Sequence, residues 1–275
     1  MKIVVTGASG FIGSNIVKKL SLEHEVYSIY KDYNSIFDLS PDIIIHCGWF
    51  GGNSYLDINN TNQFYENIDK GIELLEIIKK IPKKVKFMGF GSFAEFGYIE
   101  NTVDENTQES PSDLYGLSKY AFKMYSEMIC KQNNIDWMWI RPCYVYGPGD
   151  VSTRLIPTII NKFLNNQEVI LDSCNKTIDY IYIDDFIEMI YGLIKKEGVV
   201  GVYNICSGKK YNLKEIINQI YFFTNSKSNI IFDDRLNRNS SKYICGDNKK
   251  IVDLINYSPK IDLKDGLIKT INYYK

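Results

Sequence analysis

A tyrosine and a lysine four residues apart, Tyr115 and Lys119, have the side-chain types and the spacing that suit acid–base chemistry. On a helix this spacing places the phenol and the ammonium on one face. A nearby lysine cation lowers the pKa of a tyrosine from about 10 toward a range where the phenol can transfer protons. The pair therefore predicts a site that protonates or deprotonates a hydroxyl or a carbonyl oxygen.

Two other tyrosine–lysine pairs have the same spacing, Tyr27 with Lys31 and Tyr191 with Lys195. The first is predicted to lie on a strand, and the second ends a predicted helix. Only Tyr115 and Lys119 follow a glycine-rich loop and then a serine at a strand end, Ser92, in the chain order of a hydride-transfer site. Taken alone, Ser92 suits a turn hydroxyl as well as a catalytic one.

A glycine-rich segment follows the first predicted strand. Gly7 allows a tight turn, Gly10 a close approach of the backbone to a pyrophosphate, and Gly13 close packing of the next helix. The N-terminus of that helix then faces the phosphates. Three glycines also suit a plain turn, but the preceding strand and the following helix favour dinucleotide binding. The predicted cofactor contacts in this segment are Gly7, Ser9, Gly10, Phe11, Ile12 and Gly13.

The end of the second predicted strand bears on the choice between NAD and NADP. An acidic residue there binds the ribose 2′-hydroxyl of NAD, whereas a cation accommodates the 2′-phosphate of NADP. The residues are Tyr30 and Lys31, so we expect NADP(H) to be preferred, with NAD(H) as the alternative if Asp32 reaches the ribose. Lys31 otherwise suits an ordinary solvated lysine. Asp38 is a further candidate cofactor contact.

Metal and histidine-based chemistry are disfavoured by the residues available. The chain has two histidines, His24 and His46, and six scattered cysteines with no C-x-x-C pair. We expect no metal site and no histidine-based triad. Reduced thiols in a cytoplasmic protein are the simplest interpretation of the cysteines.

Charge and hydropathy exclude two classes of partner. The 275 residues carry 32 Lys and Arg against 33 Asp and Glu, a net charge of −1. This balance produces no positive field that would attract nucleic acid or an acidic membrane. The apolar runs are far shorter than the roughly 18 residues of a membrane span, and the N-terminal segment is interpreted as a strand rather than a signal peptide.

Apolar periodicity predicts alternating strands and helices. The predicted strands are residues 2–6, 25–30, 42–47, 85–89 and 137–141, and the predicted helices are 11–20, 60–80 and 112–131. The fold class is therefore α/β, a Rossmann-like doubly wound parallel sheet with a smaller, interleaved C-terminal substrate-binding domain. We predict a dinucleotide-binding domain at 1–145, which also receives about 168–195, and a mainly substrate-binding region at 146–275.

Seven segments in order resemble the extended short-chain dehydrogenase/reductases that act on nucleotide sugars, the epimerase/dehydratase group. These segments are Thr6-Gly7-x-x-Gly10-x-x-Gly13, Ser92 with Phe96-Gly97, Tyr115-x-x-x-Lys119, Arg141-Pro142-x-x-Val145-Tyr146-Gly147-Pro148, Asp179-Tyr180-Ile181-Tyr182-Ile183-Asp184-Asp185, Tyr203-Asn204-Ile205-Cys206-Ser207-Gly208 and Ser258-Pro259-Lys260-Ile261-Asp262-Leu263. The resemblance covers nearly the whole chain.

The resemblance implies a role for each catalytic candidate. Ser92 would polarise a carbonyl, Tyr115 would move the proton, and Lys119 would tune Tyr115 and bind the nicotinamide ribose. Arg235 would bind the substrate diphosphate, unless it is a solvated loop arginine. The complete set of predicted contacts to a nucleotide-sugar substrate is Ser92, Phe93, Tyr144, Arg154 and Arg235. Helices at 60–80 and 112–131 resemble those through which the family forms homodimers.

Departures from the family pattern narrow the reaction. Dehydratases carry an Asp-Glu pair after the serine, where this chain has Phe93 and Ala94. Enzymes similar to GDP-fucose synthase place a cysteine near Ala94 and a histidine near Arg154, and both are absent here. The prediction is NADPH-dependent reduction of a nucleotide-linked keto sugar, a 4-keto-6-deoxyhexose of deoxysugar biosynthesis. The alternatives are an NAD-dependent nucleotide-sugar 4-epimerase and a non-catalytic dinucleotide-binding regulator.

Overall fold

The computed structural model describes residues 1–30, 32–50, 59–236 and 243–275. The strands are β1 (Lys2–Thr6), β2 (Glu25–Ile29), β3 (Ile43–His46), β4 (Lys86–Phe90), β5 (Asp136–Pro142), β6 (Tyr144–Tyr146), β7 (Val169–Leu171), β8 (Thr177–Ile178), β9 (Tyr180–Tyr182), β10 (Gly201–Ile205), β11 (Tyr211–Asn212), β12 (Ile230–Phe232) and β13 (Tyr243–Ile244). The helices are α1 (Phe11–Leu20), α2 (Ser35–Leu39), α3 (Asn62–Ile78), α4 (Leu114–Gln132), α5 (Leu155–Leu164), α6 (Ile183–Lys195), α7 (Leu213–Thr224), α8 (Lys249–Ile255) and α9 (Leu263–Tyr274). Single 3₁₀ turns occur at Phe93–Phe96 and Asp234–Leu236.

Six parallel strands form the central sheet, in the order β2-β1-β3-β4-β5-β10. The continuous apolar runs of β1 and β3 are buried on both faces because helices cover the sheet on each side. Alternate residues of β1 enter different cores: Ile3 and Val5 pack on the side of α1 and α6, and Val4 on the side of α3 and α4. The predicted α/β fold class, with a Rossmann-like parallel sheet, is confirmed.

The strand order reverses between β1 and β3, and the glycine loop begins at the carboxyl end of β1. In open parallel sheets a crevice for ligands forms at such a switch point. Thr6 and His46, at the ends of these two strands, are joined by a 2.7 Å hydrogen bond between Oγ1 and Nδ1. Burial lowers the pKa of His46 to about 3, and the Lys119 charge acts in the same direction. His46 is therefore a neutral side chain that ties two strands together.

The remaining elements lie mainly after β5. β6 pairs with β9, β7 pairs with β12, and β8 lies between β11 and β13. Helices α5, α7 and α9 pack against one another and extend the core that surrounds α1 and α6. Within the described ranges, no helix has the length and apolarity needed to cross a membrane.

The chain returns to the central sheet after it has built part of this second region. β10 pairs with β5 along Gly201–Ile205, and α6 packs against α1. A buried carboxylate, Asp185 on α6, then accepts hydrogen bonds from the Tyr257 hydroxyl and the Lys260 and Ile261 amides at 2.6, 3.0 and 2.8 Å. The C-terminal segment is thereby fastened to a helix of the central domain.

Candidate active site

The loop between β1 and α1 brings backbone segments unusually close together. Gly7 has a φ of +68°, and a Cβ there would lie 2.5 Å from the Gly48 amide nitrogen. A Cβ on Gly13 would lie 2.2 Å from the Gly7 carbonyl oxygen. Side chains at either position would fill the cradle in front of α1. The glycines are therefore required by the geometry on which a bound pyrophosphate depends.

The first turn of α1 leaves its amides without a side-chain cap. Gly10 is the N-cap, and no acidic residue occupies the first turn. Ser9 is exposed at the front of the loop, whereas Phe11 is buried and Ile12 half-buried behind it. Uncapped amides and the positive end of the helix dipole suit a phosphate group. The segment fits the dinucleotide predicted from its sequence.

The carboxylate closest to the end of β2 in the described part is Asp32, and one of its oxygens is bound within its own loop. Tyr30 is exposed, and Lys31 lies outside the described residues. Asp32 accepts hydrogen bonds from the backbone and side-chain nitrogens of Asn34, at 2.9 and 2.8 Å, so it is engaged in its own loop. Asp38 is exposed on α2.

Ser92, Tyr115 and Lys119 come together at the carboxyl edge of the sheet. Ser92 follows β4, and the other two lie on α4, whose first turn is capped by the Asp113 carboxylate. The Ser92 hydroxyl hydrogen-bonds to the Tyr115 hydroxyl. The Lys119 Nζ lies 5.8 Å from the centre of the Tyr115 ring and donates a 2.7 Å hydrogen bond to the Phe90 carbonyl. The structure thus assembles the three candidates for proton transfer.

Electrostatics at this cluster are dominated by burial. Burial lowers the pKa of Lys119 to about 7, and the Glu95 carboxylate acts against that shift. Burial also raises the pKa of Tyr115, whereas the Arg154 charge and the Ser92 hydroxyl lower it. At neutral pH both protonation states of Lys119 are therefore populated, whereas Tyr115 keeps its proton. A protonated phenol beside a lysine suits the donation of a proton to a substrate oxygen.

Trp49 is a site residue that the sequence analysis did not identify. The Lys119 Nζ lies 3.6 Å from the centre of the Trp49 ring, which is a close cation–π contact. The indole Nε1 is buried and has no hydrogen-bond partner among the described residues. A tryptophan directly after β3, at the edge where the predicted cofactor lies, was the available signal.

Glu95 was also not identified, although a sequence signal existed for it. Ser92 and Glu95 form a capping box: the Ala94 amide donates to the Ser92 Oγ at 3.1 Å, and the Ser92 amide donates to the Glu95 Oε1 at 2.9 Å. A serine followed three residues later by glutamate is the pattern of this motif. Glu95 thereby fixes the backbone that carries the catalytic serine candidate.

Arg154 lies near the three catalytic candidates, and Tyr144 is accessible on the strand that follows β5. The Arg154 guanidinium is close enough to lower the pKa of Tyr115, and it pairs with the Asp150 carboxylate at 3.4 Å. Burial raises the pKa of Asp150 to about 6 against the effect of that arginine. Tyr144 is partly exposed on β6, with its ring centre 5.3 Å from that of Tyr180.

Two predicted substrate contacts lie elsewhere. Phe93 is buried in a small core with Phe96, with 5.6 Å between the ring centres, and is directed into the protein. Arg235 is exposed on the second 3₁₀ turn, and its described partner is Asp233, bound at 2.8 Å through Nε and 2.7 Å through Nη2. No described contact joins the side chain of either residue to the side chains of Ser92, Tyr115 or Lys119, and both substrate contacts stay predictions.

Comparison with known proteins gives a family match over most of the chain. The model of the "NAD dependent epimerase/dehydratase family" matches residues 3–206. The dTDP-4-dehydro-6-deoxyglucose reductase of Escherichia coli is 27% identical, over 98% of this chain and 96% of its own length. A putative UDP-glucose 4-epimerase of Methanocaldococcus jannaschii is also 27% identical, over 99% of this chain and 98% of its own length.

Solved structures share the fold. UDP-glucose 4-epimerase from Thermotoga maritima, crystallised with UDP-glucose, superposes with a TM-score of 0.89 at 22% identity, covering 100% of this chain and 98% of that one. RMD from Pseudomonas aeruginosa, complexed with NADPH, gives a TM-score of 0.88 at 19% identity, covering 99% and 98%. At these identities the likeness concerns the fold.

Replacing Lys119 with methionine should change how stability depends on pH. Between about pH 7 and pH 10 the unfolded chain binds the lysine proton more fully than the folded chain, because burial lowers the folded pKa to about 7. Wild-type stability therefore falls as pH decreases through this window. In Lys119→Met the free energy of unfolding should depend less steeply on pH. Its slope should be smaller than that of the wild type by up to about 1.4 kcal/mol per pH unit. Urea unfolding across the window measures the difference.

The exposed lysine Lys80 provides the control for this experiment. Lys80→Met should follow the wild-type pH profile. Parallel profiles for Lys119→Met and the wild type would contradict the assignment of a depressed pKa to Lys119.

Proposed function

Because this chain belongs to the NAD dependent epimerase/dehydratase family, whose members are enzymes, we propose that it reduces a nucleotide-linked 4-keto-6-deoxyhexose with NADPH. The observation that carries this proposal is the cluster of Ser92, Tyr115 and Lys119 beside a glycine cradle that suits a pyrophosphate. The relative from E. coli is named as a reductase of such a sugar.

The proposed step assigns one task to each side chain. NADPH, when bound, supplies the hydride to the carbonyl carbon. The Ser92 hydroxyl, which bonds to Tyr115 in the free protein, donates its hydrogen bond to the carbonyl oxygen when the substrate is bound. Tyr115 gives its proton to that oxygen as negative charge develops, and the product is an alcohol. Lys119 stabilises the resulting phenolate by its positive charge.

The residues that flank Ser92 support reduction over dehydration. Phe93 and Ala94 carry no ionisable group. The nearest acid along the chain, Glu95, is fully buried and bound to Arg141 and Trp139, so it is not free to exchange protons with a sugar. Elimination of water requires an acid and a base beside the ring, and these positions do not provide them.

A 4-epimerase is the second candidate, since the same three side chains serve oxidation followed by reduction at one carbon. The M. jannaschii relative and the T. maritima structure, both named as UDP-glucose 4-epimerases, favour it. The two reactions differ in cofactor use. A reductase consumes one NADPH per product, whereas an epimerase regenerates its NAD in each turnover.

We also propose a division of labour along the chain. The central sheet with its glycine loop, within 1–145 and about 168–195, binds the dinucleotide, and 146–275 mainly binds the nucleotide sugar. Arg154 beside Tyr115 suits an anionic or hydroxyl-rich part of that substrate. A cytoplasmic location stays a prediction from the sequence.

The labelled cofactor should transfer its deuterium to the sugar. With NADPH deuterated at C4 on the transferred face and a dTDP- or GDP-linked 4-keto-6-deoxyhexose, the product should carry one deuterium at the former carbonyl carbon. In deuterated water with unlabelled NADPH, no deuterium should enter a carbon position above the no-enzyme control. Mass spectrometry and proton NMR measure both. Conversion of UDP-glucose without net NADPH consumption would instead support the epimerase.

Matched tyrosine variants test the proton donor in the same assay. Tyr115→Phe should reduce turnover roughly 100- to 10,000-fold, the contribution typical of a general acid. Tyr191→Phe removes a hydroxyl from a second tyrosine–lysine pair, where Tyr191 bonds to Glu23 and Lys195, and should leave turnover unchanged. Wild-type turnover by folded Tyr115→Phe would exclude it as the donor.

Cofactor titration should show tighter binding of NADPH than of NADH. The binding of the Asp32 Oδ1 by Asn34 supports this preference, because it holds one oxygen of that carboxylate in its own loop, and the sequence has Lys31 at the strand end. Lys31→Asp should narrow or reverse the preference in a fluorescence titration, and Lys80→Asp, after α3, should not. A wild-type preference for NADH would overturn the NADP assignment.

We propose a homodimer formed through α3 and α4. Leu117, Met124 and Met128 lie on one exposed face of α4, and the exposed Tyr65 lies on α3. Light scattering should give twice the monomer mass, and Met124→Glu with Met128→Glu should give the monomer because buried carboxylates are costly. Leu22→Glu, at an exposed position after α1, is the control. A wild-type monomer over a wide concentration range would refute the dimer.

A further inference from the structure

Behind Ser92 lies a carboxylate that solvent does not reach. Glu95 is 0% exposed, and its Oε1 accepts hydrogen bonds from the Ser92 amide at 2.9 Å and from the Trp139 indole at 3.0 Å. Its Oε2 accepts from the Arg141 Nε at 2.8 Å. Trp139 and Arg141, both on β5, therefore bind one carboxylate oxygen each, and the Oε1 also binds the Ser92 amide.

The Arg141 guanidinium connects this carboxylate to a second one. Arg141 is 0% exposed, and its Nη2 pairs with Glu109, which in turn pairs with Lys123 on α4. Glu109 makes no contact with Ser92 in the described hydrogen bonds; its described partners are this arginine and this lysine. The network thus contains two carboxylates on one guanidinium, and only one of them reaches the serine.

The backbone between β4 and Ser92 is shaped around this carboxylate. A Cβ on Gly91 would lie 1.9 Å from the Glu95 Oε1 and 2.3 Å from the Trp139 Nε1. The chain can therefore pass over the carboxylate only because residue 91 has no side chain. Because Gly91 directly precedes Ser92, a shift of its backbone would also displace Ser92.

We propose that Glu95 is a positioning residue for the reaction: anchored to β5 by Arg141 and Trp139, it holds Ser92 where its hydroxyl meets Tyr115. This inference rests on the proposed function, because it assigns Ser92 the task of binding the carbonyl oxygen. Ser92 is extended, with φ of −162° and ψ of 157°, and the bond from its amide to Glu95 fixes that conformation. The Ser92 oxygen accepts from the Ala94 amide, and its hydroxyl donates to Tyr115 until a substrate carbonyl oxygen accepts that hydrogen bond.

Two variants of matched size separate this role from a general contribution to stability. Glu95→Met and Glu109→Met each remove a carboxylate from Arg141, but only the first removes the acceptor of the Ser92 amide. Glu95→Met should lower kcat roughly 100-fold, the cost of about 1 Å of misplacement, with little change in KM because the nucleotide contacts remain. Glu109→Met should keep the wild-type kcat even where it lowers the unfolding midpoint, and Glu95→Gln, whose amide oxygen can still accept from the Ser92 amide, should retain more activity than Glu95→Met. An equal loss of kcat in Glu95→Met and Glu109→Met would overturn the proposal.

A double-mutant cycle tests whether Glu95 acts through the serine. In a Ser92→Ala background, Glu95→Met should change kcat by no more than about twofold, because the hydroxyl that Glu95 positions is already gone. Additive losses would show that Glu95 acts by another route and would overturn the proposal. Should Glu95→Met fail to fold, Glu95→Asp keeps a carboxylate but shortens the side chain by one methylene, which draws its oxygens back from the Ser92 amide, and the same expectations apply.

Amide hydrogen exchange provides a readout that does not depend on the substrate. In Glu95→Met, peptides that span residues 91–97 should exchange faster than in the wild type, whereas in Glu109→Met they should not. Equal protection in both variants would overturn the positioning role. If the wild type reduces none of the dTDP- or GDP-linked keto sugars, the proposed function fails, and the exchange comparison still decides whether Glu95 holds the Ser92 segment.

Discussion

The site is organised around one constraint, the burial of the Lys119 ammonium group. Removing a charge from water is costly, so the groups that surround it are constrained to compensate. The Phe90 carbonyl accepts one of its protons, the Trp49 ring faces it at 3.6 Å, and the Glu95 carboxylate raises its pKa against the effect of burial. These three groups come from the ends of β3 and β4 and from the turn after β4, so satisfying one charge fixes three loops at the carboxyl edge of the sheet.

A second constraint is steric and concerns the backbone itself. At Gly7 and Gly13 two chain segments approach within distances that exclude a Cβ, and at Gly91 the chain passes over a carboxylate in the same way. The first approach leaves a cradle in front of an uncapped helix, and the second sets the conformation of the residue that follows. Charged groups and glycine backbone thus have complementary roles. The charged groups supply binding energy, and the glycines leave room for a ligand to approach the backbone.

Much of the fold follows from local patterns, since apolar periodicity depends on neighbouring residues. The helices predicted at 60–80 and 112–131 are α3 and α4, with ends that differ by one or two residues. The glycine loop and the Tyr115–Lys119 pair were found in the same way, from spacing. Contacts between distant segments have no such signal: nothing near Arg141 in the sequence indicates that it binds Glu95.

Individual site residues illustrate where sequence reasoning ends. Phe93 is a predicted substrate contact next to Ser92, and its ring lies in a small apolar cluster, where burial stabilises it. Arg235 is predicted to bind the substrate diphosphate because of its place in the chain order. Its side chain is exposed and pairs with Asp233, two residues before it. The capping box at Ser92 was readable from the sequence, and what it holds became clear only with the buried network behind it.

The late return of the chain to the central sheet has a consequence for synthesis on the ribosome. β5 is complete at residue 142, but the strand that pairs with its outer edge is β10, at Gly201–Ile205. Until those residues emerge, β5 presents unpaired amides and carbonyls next to an apolar surface, the condition under which chains associate edge to edge. The interleaving that joins the two regions in the finished molecule therefore lengthens the interval in which the nascent chain carries an unpaired strand edge.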